Sequence, residues 1–173
     1  FFAFEDCVNL KSIIIPDSVA YLGFNAFTNC TSLTKAIIGN SVTSIEEQTF
    51  KSCTNLTSIT IGTSVTSIKQ AAFYNCHSLK SITIPDSVQD IGDLAFANCI
   101  NLITVHIPST LVSFDSTAFV GCNAISTITV AEGNTHYIAE DGVLYNIDKT
   151  EIMYFPRAKE LNFDELPATI KKI

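Results

Sequence analysis

Apolar side chains recur along this chain at a fixed interval of 23 residues, and inside each interval they are spaced as short strands joined by tight turns. Phenylalanine stands at 4, 27, 50, 73, 96 and 119, and three places after each comes Cys7, Cys30, Cys53, Cys76, Cys99 or Cys122. Three further on lie Leu10, Leu33, Leu56, Leu79, Leu102 and Ile125. Two rows on alternate positions follow: Ile13, Ala36, Ile59, Ile82, Val105 and Ile128, then Ile15, Ile38, Ile61, Ile84, Ile107 and Val130. Val19, Val42, Val65, Val88 and Leu111 keep another row, and Leu22, Ile45, Ile68, Ile91 and Phe114 keep the last.

One unit shows what the pattern demands. In LKSITI, residues 79–84, Ile82 and Ile84 project to one side while Ser81 and Thr83 project to the other, as in a half-buried strand. Pro85, or Gly62 at the same place in the unit before, ends the strand, because proline cannot donate to a ladder and glycine weakens it. Val88 and Ile91 then return to the interior, and Ala95 with Phe96 closes the coil in a tight bend. A single coil cannot bury its own apolar residues. Stacked coils can, with strands paired in parallel at about 4.8 Å and each row of like residues forming a ribbon of core. The chain is therefore expected to be mainly β, a solenoid of about six 23-residue repeats over 1–130.

After Val130 the period breaks, and 131–160 reads as a β-hairpin insert. Its strands are DGVLYN and TEIMYFP, with a turn at Asn146 to Lys149. LPATIKKI, 166–173, matches IPDSVQDI, 84–91, so a further repeat is expected over 161–173 and the hairpin reads as an interruption of the array rather than its cap. Residues 161–165 fit the strand template poorly and put Asp164 near a core register. The chain begins on Phe1 rather than Met and reads as a piece of something longer.

Composition adds exclusions. A hydrophobic content of 47% supports a packed interior. A net charge of −7, with ten Lys and Arg that form no basic stripe, argues against nucleic acid. No run of 18 apolar residues is present to insert in a membrane.

The regular cysteines could be a disulfide framework, metal ligands, a redox device or one row of the core. Zinc wants ligands that converge on a point, and a straight row does not converge. Neighbouring cysteines in stacked coils fall within disulfide range, yet their Cα–Cβ vectors run parallel, so bridging requires distortion. The core-row reading is favoured, and one bridge between adjacent repeats stays open. Cys76 and His77 resemble a nucleophile and its base, but Cys76 shares its register with five cysteines that lack a neighbouring histidine.

SLKSITIPDSVQDIGDLAFANC and NLKSIIIPDSVAYLGFNAFTNC follow the pattern LxxLxLP then SVxxIGxxAFxxC, which resembles the BspA-like leucine-rich repeat over residues 1 to about 130. The resemblance implies a right-handed leucine-rich-repeat solenoid with a parallel sheet on its concave face. It also implies an extracellular or cell-surface protein of anaerobic bacteria or mucosal protozoa, with adhesion as its role and a host extracellular-matrix or cell-surface protein, or a glycan, as partner. A "DGVLYN..KT" insert is a further shared feature. Many leucine-rich repeats carry asparagine three residues beyond the strand, where this chain has Ser18, Ser41, Ser64, Ser87 and Thr110, so a ladder of hydroxyl bonds is expected there.

Chemistry is sparse. His77, His106 and His136 occupy three different registers, and neither a nucleophile elbow, a zincin motif nor a phosphate loop is present. No catalytic residue, cofactor or metal is expected. Asn29 and Asn55 lie in N-x-T sequons and read as polar loop residues. What remains is the outward side of the strands, where Ser58, Thr60, Ser81, Thr83, Thr104, His106, Thr127 and Thr129 form a hydroxyl-rich floor and a candidate partner face. Tyr145, Tyr154 and Phe155 form a second candidate patch, on the insert. Two readings stay open: a binding module, or a structural spacer with no ligand.

Overall fold

The computed structural model describes residues 1–157, 159 and 166–173, and among these it holds thirteen short strands and no helix. In chain order these include β1 (Ser12–Ile15), β2 (Lys35–Ile38), β3 (Ser44–Ile45), β4 (Ser58–Thr60), β5 (Ser67–Ile68), β6 (Ser81–Ile82), β7 (Asp90–Ile91), β8 (Thr104–Ile107), β9 (Ser113–Phe114) and β10 (Thr127–Val130). Strands β1, β2, β4, β6, β8 and β10 are one per coil and form the long ladder. Strands β3, β5, β7 and β9 form a short ladder on a second side. Every pair is parallel and offset by one period, as in Ile13 beside Ala36 beside Ile59. The chain is a β-solenoid.

Between the ladders the predicted rows are buried from the second coil onward, apart from half-buried Ile59 and Val130, while in the first coil Phe4 is exposed and Cys7, Leu10, Ile13 and Val19 are half-buried. Phe4, Phe27, Phe50, Phe73, Phe96 and Phe119 stack ring on ring, with centroids 5.1, 5.3, 5.5, 5.1 and 5.3 Å apart and planes within 16° of parallel. All six cysteines are thiols, and five of them donate to the phenylalanine carbonyl one coil back. These bonds run from Cys30 Sγ to the Phe4 oxygen at 3.1 Å through to Cys122 Sγ and the Phe96 oxygen at 3.0 Å. The same carbonyl accepts the N–H of the cysteine three residues after it, as Phe27 does from Cys30 at 3.2 Å. A buried carbonyl has two lone pairs, and a small apolar side chain with a weak donor fills the space while meeting the second. That is a physical reason for cysteine rather than alanine or valine in this row.

The residue before each cysteine is left-handed. Asp6, Asn29, Ser52, Asn75 and Asn98 have φ between 58° and 61°, and Gly121 has φ of 78°. Short polar side chains and glycine tolerate this region, which explains their placement at the bend. They also bond along the row, Asn29 Nδ2 to Asp6 Oδ1 at 2.9 Å and Asn98 Nδ2 to Asn75 Oδ1 at 3.1 Å.

The hydroxyl ladder is only partly present. Ser87 donates to the Val65 oxygen at 2.7 Å and Thr110 to the Val88 oxygen at 2.8 Å, both in turns led by proline. In the turns led by Gly39 and Gly62 the neighbouring residue takes over. There Asp17 Oδ1 accepts the Asn40 N–H at 2.6 Å and Asn40 Oδ1 accepts the Thr63 N–H at 3.0 Å.

The insert is larger than a hairpin. Strands β11 (Tyr137–Glu140), β12 (Val143–Asn146) and β13 (Ile152–Tyr154) form an antiparallel meander, of which β11 was not expected. Asp141 and Gly142, with φ of 50° and 79°, make the two-residue turn that matches strand twist. The expected turn forms too, with Asn146 Oδ1 accepting the N–H groups of Thr150 and Glu151 at 2.8 and 2.9 Å.

The period also persists past Val130. Ala131 N–H donates to the Ile107 oxygen at 2.8 Å, as Gly39 does to Ile15 at 2.9 Å. Tyr137 stands one period after Phe114 and meets its ring edge-on at 6.1 Å. The regular path is left after Tyr137. At the far end Ile170 N–H bonds the Pro167 oxygen at 3.1 Å, as Val88 bonds Pro85 at 3.0 Å. Lys172 pairs in parallel with Glu151, so the repeat turn resumes against the meander. Residues 161–165, with the expected placement of Asp164, lie outside the described residues.

Candidate functional site

All eight residues expected on the outward face of the long strands are exposed: Ser58, Thr60, Ser81, Thr83, Thr104, His106, Thr127 and Thr129. Ser81, Thr104 and Thr127 are successive rungs of one column, and His106 lies beside Thr129 in the next. His106 Nδ1 and Thr129 Oγ1 share a hydrogen bond of 2.8 Å.

The structure does not bring all eight into one floor. The long ladder is two three-stranded sheets, β1-β2-β4 and β6-β8-β10, and no strand bond joins β4 to β6. Ser58 and Thr60 therefore stand on one sheet and Ser81 and Thr83 on the other side of a break. At this level other coils are tied by an N–H to the coil before: Thr34 to Lys11, Thr57 to Thr34, Ile103 to Lys80 and Ser126 to Ile103, at 2.9 to 3.1 Å. Lys80 makes no such bond to Thr57.

Turn residues account for the break. A Cβ on Gly62 would lie 2.3 Å from the Gly39 oxygen, and one on Gly39 would lie 2.8 Å from the Ile15 oxygen, so these two turns close tightly on the coils before them. Pro85 follows on the other side. It has no N–H to offer the third coil, and its ring needs room. Pro108 deprives the next junction of a donor as well, and β6 pairs with β8 over only Ser81 and Ile82, where the neighbouring pair of β8 with β10 runs over four residues.

A cleft of about 660 Å³ opens at this junction. Ile59, Ile61 and Pro85 give it an apolar lining; Thr60, Thr63, Thr83 and Asp86 give it hydroxyls and a single carboxylate. Among the described residues Asp86 is the only charged group in its lining, and the chain of turn bonds from Asp17 through Asn40 to Thr63 stops at its edge. Sequence reasoning missed this feature, although the turn register Pro16, Gly39, Gly62, Pro85, Pro108 spells out where glycine gives way to proline. A second recess, of about 390 Å³, is the apolar cross-section of the first coil, walled by Phe4, Ile14 and Tyr21 among others.

The candidate patch on the insert needs correction. Tyr145 is 3% exposed in the central strand of the meander, flanked by Ile138 and Ile152, because a third strand covers the edge that a hairpin leaves open. The Tyr154 ring is half-buried and turned edge-on to Phe119 at 5.8 Å, with its hydroxyl donating to the Cys122 oxygen at 3.3 Å. Burial pushes its pKa up to about 12. Tyr154 thus closes the end of both the phenylalanine stack and the cysteine row. Phe155 is half-buried.

The remaining candidates serve the stack as well. Cys76 is fully buried, donates to the Phe50 oxygen at 3.2 Å, and burial holds its pKa well above that of an ordinary thiol, far from a nucleophile. Asn29 Nδ2 is bonded to Asp6, and Asn55 Nδ2 donates to the Thr31 oxygen at 2.8 Å, so both sequon amides hold coils together. Among the described residues no helix is long and apolar enough to cross a membrane.

Comparison with known proteins gives consistent results. A family profile, the BspA type leucine rich repeat region, matches in six copies over residues 1–79 and 43–166. A leucine-rich repeat protein from Eubacterium ventriosum is 24% identical with a TM-score of 0.83, over 98% of this chain and 45% of that one. A leucine-rich cell surface protein from Faecalibacterium prausnitzii is 34% identical with a TM-score of 0.64, over 85% of this chain and 46% of that one. The pneumococcal vaccine antigen PcpA is 22% identical with a TM-score of 0.70, over 93% of this chain and 50% of that one, a likeness of fold alone. The chain spans about half the length of these solved proteins. No curated protein sequence matches it.

Proposed function

The chain belongs to the BspA-type leucine-rich repeat family, and on that premise we propose that it is a binding module of a cell-surface or secreted protein, acting in adhesion through the outward face of its long strands. The supporting observation is the columns themselves. Five of the six coils place short hydroxyl side chains outward at one-period intervals, all exposed, while the second presents Lys35 and Ile37; Lys35 and His106 are the titratable groups among these columns. Such a floor offers many weak hydrogen bonds to an extended partner, and affinity accumulates with the number of coils engaged. A host matrix or cell-surface protein, or a glycan, is the partner class this reading favours. The name of the Faecalibacterium prausnitzii relative, a leucine-rich cell surface protein, supports an extracellular location.

A binding screen of the purified chain against matrix proteins and glycans tests the proposal. Saturable binding that falls at least about tenfold in a Thr104→Glu, Thr127→Glu, Thr129→Glu variant supports it, that factor being about 1.4 kcal/mol of binding energy. Binding of no member of the panel, or binding indifferent to these changes, favours the spacer reading.

A further inference from the structure

We infer that a recess on the bends of the second, third and fourth coils binds one pyranose ring that carries a carboxylate, the uronic acid residue of an acidic glycan. The inference rests on the binding-module reading and gives it a ligand class, at a place away from the outward strand columns.

The recess arises where two rows depart from their neighbours together. Asn25, Gln48, Ala71, Leu94 and Thr117 share one register of the bend, and Thr28, Lys51, Tyr74, Ala97 and Val120 share the register three residues on. Ala71 is the smallest side chain of the first row, Tyr74 is the one aromatic of the second, and both belong to the third coil. The missing bulk at Ala71 leaves a space of about 280 Å³ bounded by Gln48, Lys51, Gln70, half-buried Tyr74 and Leu94. Pockets for drug-sized ligands begin at about 300 Å³, so this one suits a single ring.

Its backbone is held in place. Gln48 N–H donates to the Gln70 oxygen at 3.0 Å, Ala71 N–H to the Asp93 oxygen at 2.9 Å and Ser52 N–H to the Tyr74 oxygen at 2.7 Å, tying each bend to the next coil. Gln48, Ala71 and Leu94 are left-handed, with φ of 57°, 52° and 54°, where glycine rests without strain. Three adjacent coils thus keep a side chain at a backbone cost, and such strain gathers at ligand sites.

The polar groups that line the recess are mainly donors. Lys51 Nζ donates to Gln48 Oε1 at 2.9 Å, which leaves both hydrogens of Gln48 Nε2 to give. Gln70 Nε2 donates to Asp93 Oδ2 at 3.0 Å, which leaves Gln70 Oε1 as an acceptor. The Tyr74 hydroxyl accepts from Asn98 Nδ2 at 3.3 Å and keeps its own proton. Among the described residues Lys51 is the only charged group of the lining, and its ammonium pairs with no carboxylate. A ligand rich in acceptors, with one negative charge and one ring, completes this set. Its carboxylate accepts from Lys51 and Gln48, a ring hydroxyl donates to Gln70 Oε1, and its C–H face covers the Tyr74 ring. A simple carboxylate leaves Tyr74 and Gln70 unused, and a neutral sugar leaves Lys51 without a counter-charge.

The test uses the whole chain, labelled with nitrogen-15, and three probes: methyl β-glucuronide, methyl β-glucoside and acetate. The glucuronide should shift amide signals of Gln48 to Ser52 and Gln70 to Asn75 and leave those of β8 and β10 unmoved. The glucoside should bind about tenfold more weakly, and acetate more weakly again. Lys51→Gln should bring the two sugars to equal affinity. Ala71→Leu and Tyr74→Ala each introduce the residue that the next coil carries at that place, as Leu94 and Ala97. Both should lose the two sugars while the signals of β8 and β10 stay where they are, which shows the fold intact. Equal affinity of wild type for the two sugars, acetate binding as tight as that of the glucuronide, or glucuronide binding unchanged in Tyr74→Ala overturns the proposal. Matrix capture by a wild type whose signals the glucuronide leaves unshifted sinks the recess and leaves adhesion through the strand columns standing. Glucuronide binding at the recess by a chain whose matrix capture is indifferent to Thr104→Glu, Thr127→Glu, Thr129→Glu sinks the strand-face reading and leaves the recess standing.

Discussion

The two ladders of one solenoid behave differently at the same junction. Between the third and fourth coils the long ladder is cut, while the short ladder runs on through Ser67 beside Asp90 and Ile68 beside Ile91. The interior also runs on: Phe50 and Phe73 stay stacked at 5.5 Å, and Cys76 reaches back to the Phe50 oxygen at 3.2 Å. Continuity of the stack is therefore carried by its side-chain rows and its bends. The long strands lie on that spine, and their edges can open where turn residues demand it without the coils parting. A surface freed from holding the fold is a surface available for recognition.

If that division is right, damage to the spine and damage to the face should differ widely. Phe96→Ala, which removes a ring stacked on both sides, is expected to cost about 3–5 kcal/mol in a urea titration. A cost near that of an exposed residue would mean the ring row is not the spine. The cysteine row gives a pH signature. Burial raises Cys30 to about 11 and Cys53 to about 12 from the ordinary 9.0. A folded value above the unfolded one means that these thiols favour the fold fully below pH 9 and lose that contribution as pH climbs toward 11 and 12. Urea midpoints should fall steadily between pH 8.5 and 11, and at pH 8 a thiol reagent should label half-buried Cys7 first, with all six reacting only on unfolding; a flat profile or two to four reactive thiols in denaturant would contradict the row as drawn.

Smaller effects sharpen the picture at the bends and on the face. Ala71 is left-handed with φ of 52°, in a column that also holds Asn25, Gln48 and Leu94. Ala71→Gly is expected to raise stability by about 1 kcal/mol by relieving that backbone, and a loss would show that its methyl group matters more. Thr83→Ala, exposed at the cleft, should change stability by under about 1 kcal/mol.

Much of the fold was legible residue by residue. The rows of phenylalanine, cysteine, leucine and isoleucine name the buried positions because each coil repeats the same environment, so six weak signals add. The outward hydroxyls were legible for the same reason, through strand alternation. Features that depend on how one coil meets the next were harder to read. Strand β11 carries a strong hairpin signal in Asp141-Gly142, but the link that places it, Tyr137 one period after Phe114, is a change of residue type in a row otherwise aliphatic until Phe114. Tyr145 and Tyr154 read as surface from the sequence, since aromatic residues outside the period carry no register to place them. The hydroxyl ladder held at Ser87 and Thr110 and gave way at Ser41 and Ser64, where Asp17 and Asn40 had already bonded the turn.

By itself the sequence determined the length of a coil, the inward and outward sides of each strand, and the family, because these depend on spacing along one chain and on local backbone chemistry. Only the tertiary structure decided that the long ladder splits at Pro85, that the meander closes the phenylalanine stack with Tyr154, and that a cysteine thiol meets the second lone pair of a phenylalanine carbonyl. Those outcomes depend on distances between coils. A coil's fit to its neighbour is set by the turn residues of both together, and no single period contains that information.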